Sequence, residues 1–82
     1  MKKKPYRLCQ GYSPNGEAVH PYYRIDEYWT LADAQISAGR NLRWEWIEER
    51  NVWRAETGYE EAAEIELLLG SATIVMNVSS MG

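Results

Sequence analysis

Few residues of this chain are equipped for covalent or acid–base chemistry, and their spacing restricts what they could do. Among 82 residues there is one cysteine, Cys9, and one histidine, His20. A tetrahedral zinc site takes about four nitrogen or sulfur ligands, so these two cannot build one. As nucleophile and base they would need a third group to orient the imidazole, and none is evident. Cys9 lies in an alternating stretch and reads as a small buried apolar side chain. His20 precedes Pro21 and reads as an exposed loop residue. The glycines stand singly, at Gly11, Gly16, Gly39, Gly58, Gly70 and Gly82, so no glycine-rich phosphate loop exists. Adjacent carboxylates occur at Glu48-Glu49 and Glu60-Glu61. Acid–base work needs a cleft and a perturbed pKa, and nothing in these polar segments points to either. The expectation is a protein without catalytic, metal or cofactor sites.

Two other residue classes carry the positive signal. Eight of the twelve acidic residues fall between Glu45 and Glu66, where the only bases are Arg50 and Arg54. Such a cluster reads either as a solvated surface or as an anionic face that steers a basic partner. The chain also holds six tyrosines and four tryptophans but no phenylalanine, so every aromatic ring has a polar handle. Rings of that kind suit surfaces that are apolar on one side and wet on the other. Tyr22, Tyr23 and Tyr28 are the candidates for exposed anchors, since tyrosine and tryptophan are enriched at interface hot spots.

Composition bounds the rest. The length and the 45% apolar content suit one globular domain spanning 1–82, with 1–5 and 79–82 as tails. A single cysteine cannot form an internal disulfide, which fits a reducing, cytoplasmic setting. Met1–Lys4 imitates the charged start of a signal peptide, but Pro5, Tyr6 and Arg7 follow instead of an apolar run. The apolar-rich stretch 67–78 is too short for the roughly 20 residues that cross a bilayer. The net charge of −3 and the lack of a basic stripe argue against direct nucleic-acid binding.

The elements that must position these side chains can be read from period and punctuation. Tyr6–Tyr12 alternates like a strand near a sheet edge. Ser13-Pro14-Asn15-Gly16 signals a turn, after which the chain returns through Ala18–His20 and continues as a strand over Tyr22–Tyr28. Thr30 resembles a helix N-cap that accepts from Asp33, with Trp29 stapled against Ala34 and Gly39 ending the helix after Ser37 or Ala38. Residues 42–57 then form a hairpin with Glu48–Asn51 as its loop. One register sets Trp46 opposite Trp53, Glu45 opposite Arg54, Ile47 opposite Val52, Trp44 opposite Ala55 and Arg43 opposite Glu56. Sliding it by two residues sets Glu45 against Glu56, and sliding by one pairs Trp46 with Arg54. Leu42, Trp44, Trp46, Trp53 and Ala55 share one face, which should be the core. Arg43, Glu45, Arg54 and Glu56 share the other.

Thr57-Gly58-Tyr59-Glu60 reads as a second capped helix start, giving a helix over Tyr59–Leu69 with Ala62, Ile65, Leu68 and Leu69 inward. Ala72–Val78 is rich in β-branched residues and reads as a strand. The expected architecture is α+β: a small antiparallel sheet with two short helices on one face, preceded by an N-terminal β-hairpin arm. Its element order from Tyr22 matches a split β-α-β, ferredoxin-like arrangement, with a simpler sheet carrying one or two packed helices as the main rival.

In size, charge and order of elements the chain resembles small phage and prophage accessory proteins, including anti-CRISPR and other anti-defence inhibitors. That resemblance implies a small binding protein that occupies a basic, nucleic-acid-binding surface of another protein, with Glu45, Glu48, Glu49, Glu60, Glu61 and Glu64 mimicking phosphates. Glu56, Tyr22, Tyr23 and Tyr28 complete the expected contact set. The alternative is a nucleic-acid or small-ligand module that stacks on exposed tyrosine or tryptophan. A monomer or a homodimer suits either reading.

Overall fold

Alternation decides the first element. Tyr6, Leu8, Gln10 and Tyr12 point to one side of strand β1 (Tyr6–Tyr12), and Arg7, Cys9 and Gly11 to the other. The computed structural model describes residues 3–68 of the chain. In chain order the remaining elements are strand β2 (Tyr22–Tyr28), helix α1 (Leu31–Ala38), and strands β3 (Glu45–Ile47), β4 (Val52–Gly58) and β5 (Glu61–Leu67). All pairings are antiparallel, in the sheet order β2-β1-β5-β4-β3. Over the described residues the fold is therefore mostly sheet with one helix, an α+β domain.

The turn at Pro14–Gly16 forms as expected, a short 3-10 turn in which Asn15 and Gly16 take positive φ of 55° and 76°. Gly11 permits the return: a Cβ there would lie 2.2 Å from the Pro21 carbonyl oxygen. The register between β1 and β2 shifts at this point. Helix α1 also begins and ends where its caps place it. The Thr30 side chain accepts from the Asp33 N–H at 3.1 Å, and Gly39 closes the helix by donating to Gln35 and Ile36. Trp29, the expected staple, is exposed at 51%. In β3–β4 the register is the expected one: Glu45 faces Arg54, Trp46 faces Trp53 and Ile47 faces Val52. The ladder stops there, so Trp44–Ala55 and Arg43–Glu56 are not sheet pairs.

Three expectations are corrected. The segment expected as a second helix is the Tyr59-Glu60 turn followed by β5, paired with β1 on one side and β4 on the other. Alanine, glutamate and leucine favour a helix locally, but a central strand gains two ladders of backbone hydrogen bonds and tertiary context overrides propensity. The period was in the sequence: Ala63, Ile65 and Leu67 alternate with Ala62, Glu64 and Glu66. Without that helix there is no ferredoxin-like split. The N-terminal hairpin is not an arm either, since β1 pairs along its whole length with β5 inside the sheet. The expected strand Ala72–Val78 lies outside the described residues.

The core sits between α1 and one sheet face. Leu8, Ala34, Ala63 and Ile65 are fully buried, with Tyr6, Tyr28, Leu31, Ala38, Trp44 and Trp53 packed around them. The expected tryptophan core is only half right: Trp46 stays 44% exposed, stacking edge-on to Trp53 with ring centroids 4.6 Å apart. Small alanines beneath the helix let aliphatic Leu8 and Ile65 fill the centre, and the indoles rim it. An Arg24 latch ties α1 down, donating to Gln10, Tyr28 and Ser37 as well as to Asp26. Among the described residues no helix is long and apolar enough to cross a membrane.

Candidate functional site

The reverse sheet face, expected to be a row of exposed charge pairs, has a buried ionic centre. Arg54 is only 5% exposed and Glu64 9%. Strand alternation puts them opposite one another on neighbouring strands. The segment after β1 folds over them. Arg54 Nη1 donates to Ser13 Oγ at 2.9 Å and lies 3.5 Å from Glu64 Oε2, while the Ser13 hydroxyl donates to the Glu17 carbonyl. Arg50 reaches the same Glu64 oxygen at 2.7 Å. Glu64 is therefore committed to two arginines and cannot contact a partner. Arg54 Nη2 has no hydrogen bond and lies 3.8 Å from Glu56 Oε2.

Around this centre the surface is acidic and concave. One shallow recess is lined by Arg43, Glu45, Arg54, Ala55 and Glu56. Glu56 also lines a second, with Ser13, Gly16, Tyr59, Glu60 and Glu61. The two recesses adjoin at Glu56. The β4–β5 turn builds its far end. Because Gly58 pairs with Glu61, only Tyr59 and Glu60 bridge the strands, and Glu60 takes a positive φ of 54°. This conformation throws Tyr59 outward, leaving it 90% exposed. Tyr59 was not among the expected anchors, because the segment read as a helix start. The two-residue gap after a glycine, between alternating runs, was the available hairpin signal.

The other expected contact residues do not join this surface. Glu48 and Glu49 lie in the β3–β4 turn, at the opposite end of β4 from Tyr59, about 24 Å away at the rise of an extended strand. Glu48 there accepts from the Trp46 indole N–H at 3.1 Å. Tyr22 and Tyr23 are exposed, at 51% and 62%, but on β2 at the far edge of the sheet. Tyr28 is half-buried, and its hydroxyl is tied to Arg24 and Ser37. So the sheet brings together Glu45, Glu56, Glu60 and Glu61, and separates them from the tyrosines of β2 and from Glu64.

Cys9 is buried on the reverse face. Burial pushes its thiol above the ordinary value, Glu66 adds to the rise and Arg7 opposes it. His20 is exposed beside Pro21. Register puts both on the reverse side of the sheet or its connecting loop, with no acid–base partner bonded to either among the described residues. No group of three or more histidine, cysteine or carboxylate side chains among the described residues could hold a metal ion. In comparisons with known proteins, no family model matches the chain, and neither a curated protein nor a solved structure does.

Proposed function

We propose that the protein is a non-catalytic binding module that occupies a basic surface on another protein, in the manner of the small mobile-element inhibitors it resembles. The observation that supports this most is a pair of recesses adjoining at Glu56, one lined by Glu45 and the other by Glu60, Glu61 and the 90% exposed Tyr59. Among the described residues Arg43 is the one exposed cation lining these recesses, since Arg54 is buried. An aromatic anchor ringed by carboxylates suits a partner that presents lysine or arginine, including a groove that otherwise holds nucleic-acid phosphates. Charge then steers the encounter, and the tyrosine supplies buried area.

The test is a triple reversal, Glu56→Lys, Glu60→Lys and Glu61→Lys, set against Glu48→Lys with Glu49→Lys as a control at the other turn. The first variant should lose capture of the partners that the wild-type chain retains from its native cell, and the control should keep them. Equal capture by the triple variant would sink the proposal. The stacking alternative has its own readout. Tryptophan quenching by single-stranded DNA or RNA at low salt would move the function to nucleic acid.

A further inference from the structure

The two edges of the sheet are unequal. β3 is three residues long, which by itself limits strand addition, whereas β2 presents seven residues and no proline within them. Long open edges are normally blunted by bulges, proline or inward-pointing charge. β2 carries one bulge, at Tyr23 opposite the Gln10–Gly11 step, but its outer side pairs with no strand among the described residues. It also exposes Tyr22 at 51%, Tyr23 at 62% and Ile25 at 51%.

The sequence of β2, Tyr-Tyr-Arg-Ile-Asp-Glu-Tyr, is complementary to its own reverse. We propose that β2 is a homodimerisation edge, pairing antiparallel with β2 of a second copy about a two-fold axis at Ile25. In that register Ile25 meets Ile25 of the second copy, and Arg24 meets Asp26 on both sides of the axis. Tyr23 lies across from Glu27, and the bulge there ends the regular ladder before Tyr22. Both Arg24–Asp26 pairs fall on the helix side of the joined sheet, and the two isoleucines bury each other on the reverse side. A two-fold axis perpendicular to the sheet keeps faces matched, so the alternative registers differ by steps of two residues. One step in one direction sets Arg24 against Arg24, and one step in the other sets Asp26 against Asp26. Cross-strand like charges oppose pairing, so a single register is selected.

Two further features accommodate this geometry. Arg24 gives its donors to Asp26 and to the latch within its own chain, so the cross-strand Arg24–Asp26 pairs act through charge alone, with the Asp26 side chain 50% exposed to the second copy. Helix α1 lies over β1, between β2 and β5. The two β1 strands of a dimer would be three strand spacings apart, about 14 Å. Packed helices need about 8–10 Å between axes, so the two copies of α1 fit side by side. This edge is remote from the acidic recess, so dimerisation and partner binding are separable.

The test is the mass in solution of the full chain at about 100 µM, which populates any dimer with a Kd near 10 µM or tighter. Wild type should show twice the 9.5 kDa chain mass. Asp26→Lys alone and Arg24→Asp alone should each halve it, because each puts like charges in both cross-strand pairs. Mixed together they should form a heterodimer, because all four positions then meet opposite charge. Circular dichroism checks that each variant folds. If Arg24→Asp loses its latch to α1 and unfolds, Ile25→Lys replaces it, and must be monomeric. A monomeric wild type, a folded Asp26→Lys that still dimerises, or folded charge-swap variants that do not combine would each overturn the proposal.

Discussion

The two faces of the sheet are sealed by different physics, although the same strands supply both. Arg54 and Ala55 are neighbours in sequence, as are Glu64 and Ile65, yet each pair divides between the faces. Toward α1, Leu8, Ala63 and Ile65 are buried by apolar contact, which is non-directional and tolerates adjustment. On the reverse face, the lid is the loop through Ser13 and Glu17, and beneath it Arg54 and Glu64 depend on particular partners. Buried charges are costly unless paired, so this face specifies where the loop must lie more than it adds stability.

The largest way to break the comparison is Glu64→Ala. It leaves Arg54 buried without its carboxylate, and should destabilise the fold by about 4 kcal/mol in denaturant titration. Arg54→Met combined with Glu64→Leu should recover most of that loss, because it removes both desolvated charges and Arg50 is exposed enough to turn to water. A strongly additive double mutant would show that the charges do not act as a pair. Next is Leu8→Ala on the helix face, expected to destabilise by about 3 kcal/mol through lost burial and a residual cavity. No second substitution that keeps the alanine and alters only charge should rescue it.

Legibility followed the same division. Local chemistry showed the Thr30 cap, the Gly39 stop, the Pro14–Gly16 turn and the β3–β4 register, because each depends on residues close in sequence. β5 was misread because its helix-forming composition is local, whereas one of the ladders that hold it comes from β1, distant in sequence, and the other from β4 across a two-residue turn that also resembles a helix start. The same error hid Tyr59 and scattered the acidic candidates. Glu64 could not be separated from Glu60 and Glu61 until strand alternation turned it toward Arg54. That the reverse face would be covered was not legible at all: Arg54 reads as a surface charge until Ser13, 41 residues earlier, is placed over it.

The smallest effects sharpen the contrast further, since one hydroxyl helps to hold each lid. Thr30 accepts from the exposed N–H of Asp33 at the start of α1, and Ser13 accepts from buried Arg54 while donating to Glu17. Water can replace Thr30, so Thr30→Ala should lower stability by about 1 kcal/mol, the usual loss for an N-cap. Ser13 is 3% exposed, and its removal strands a guanidinium that water reaches poorly. Ser13→Ala should therefore lower stability by roughly 2 kcal/mol, in the range for a hydrogen bond to a charged group. Denaturant midpoints at constant m-value measure both. If the two losses were equal, the reverse-face lid would be as wet as the helix terminus, and the ionic centre beneath it would be an ordinary surface cluster.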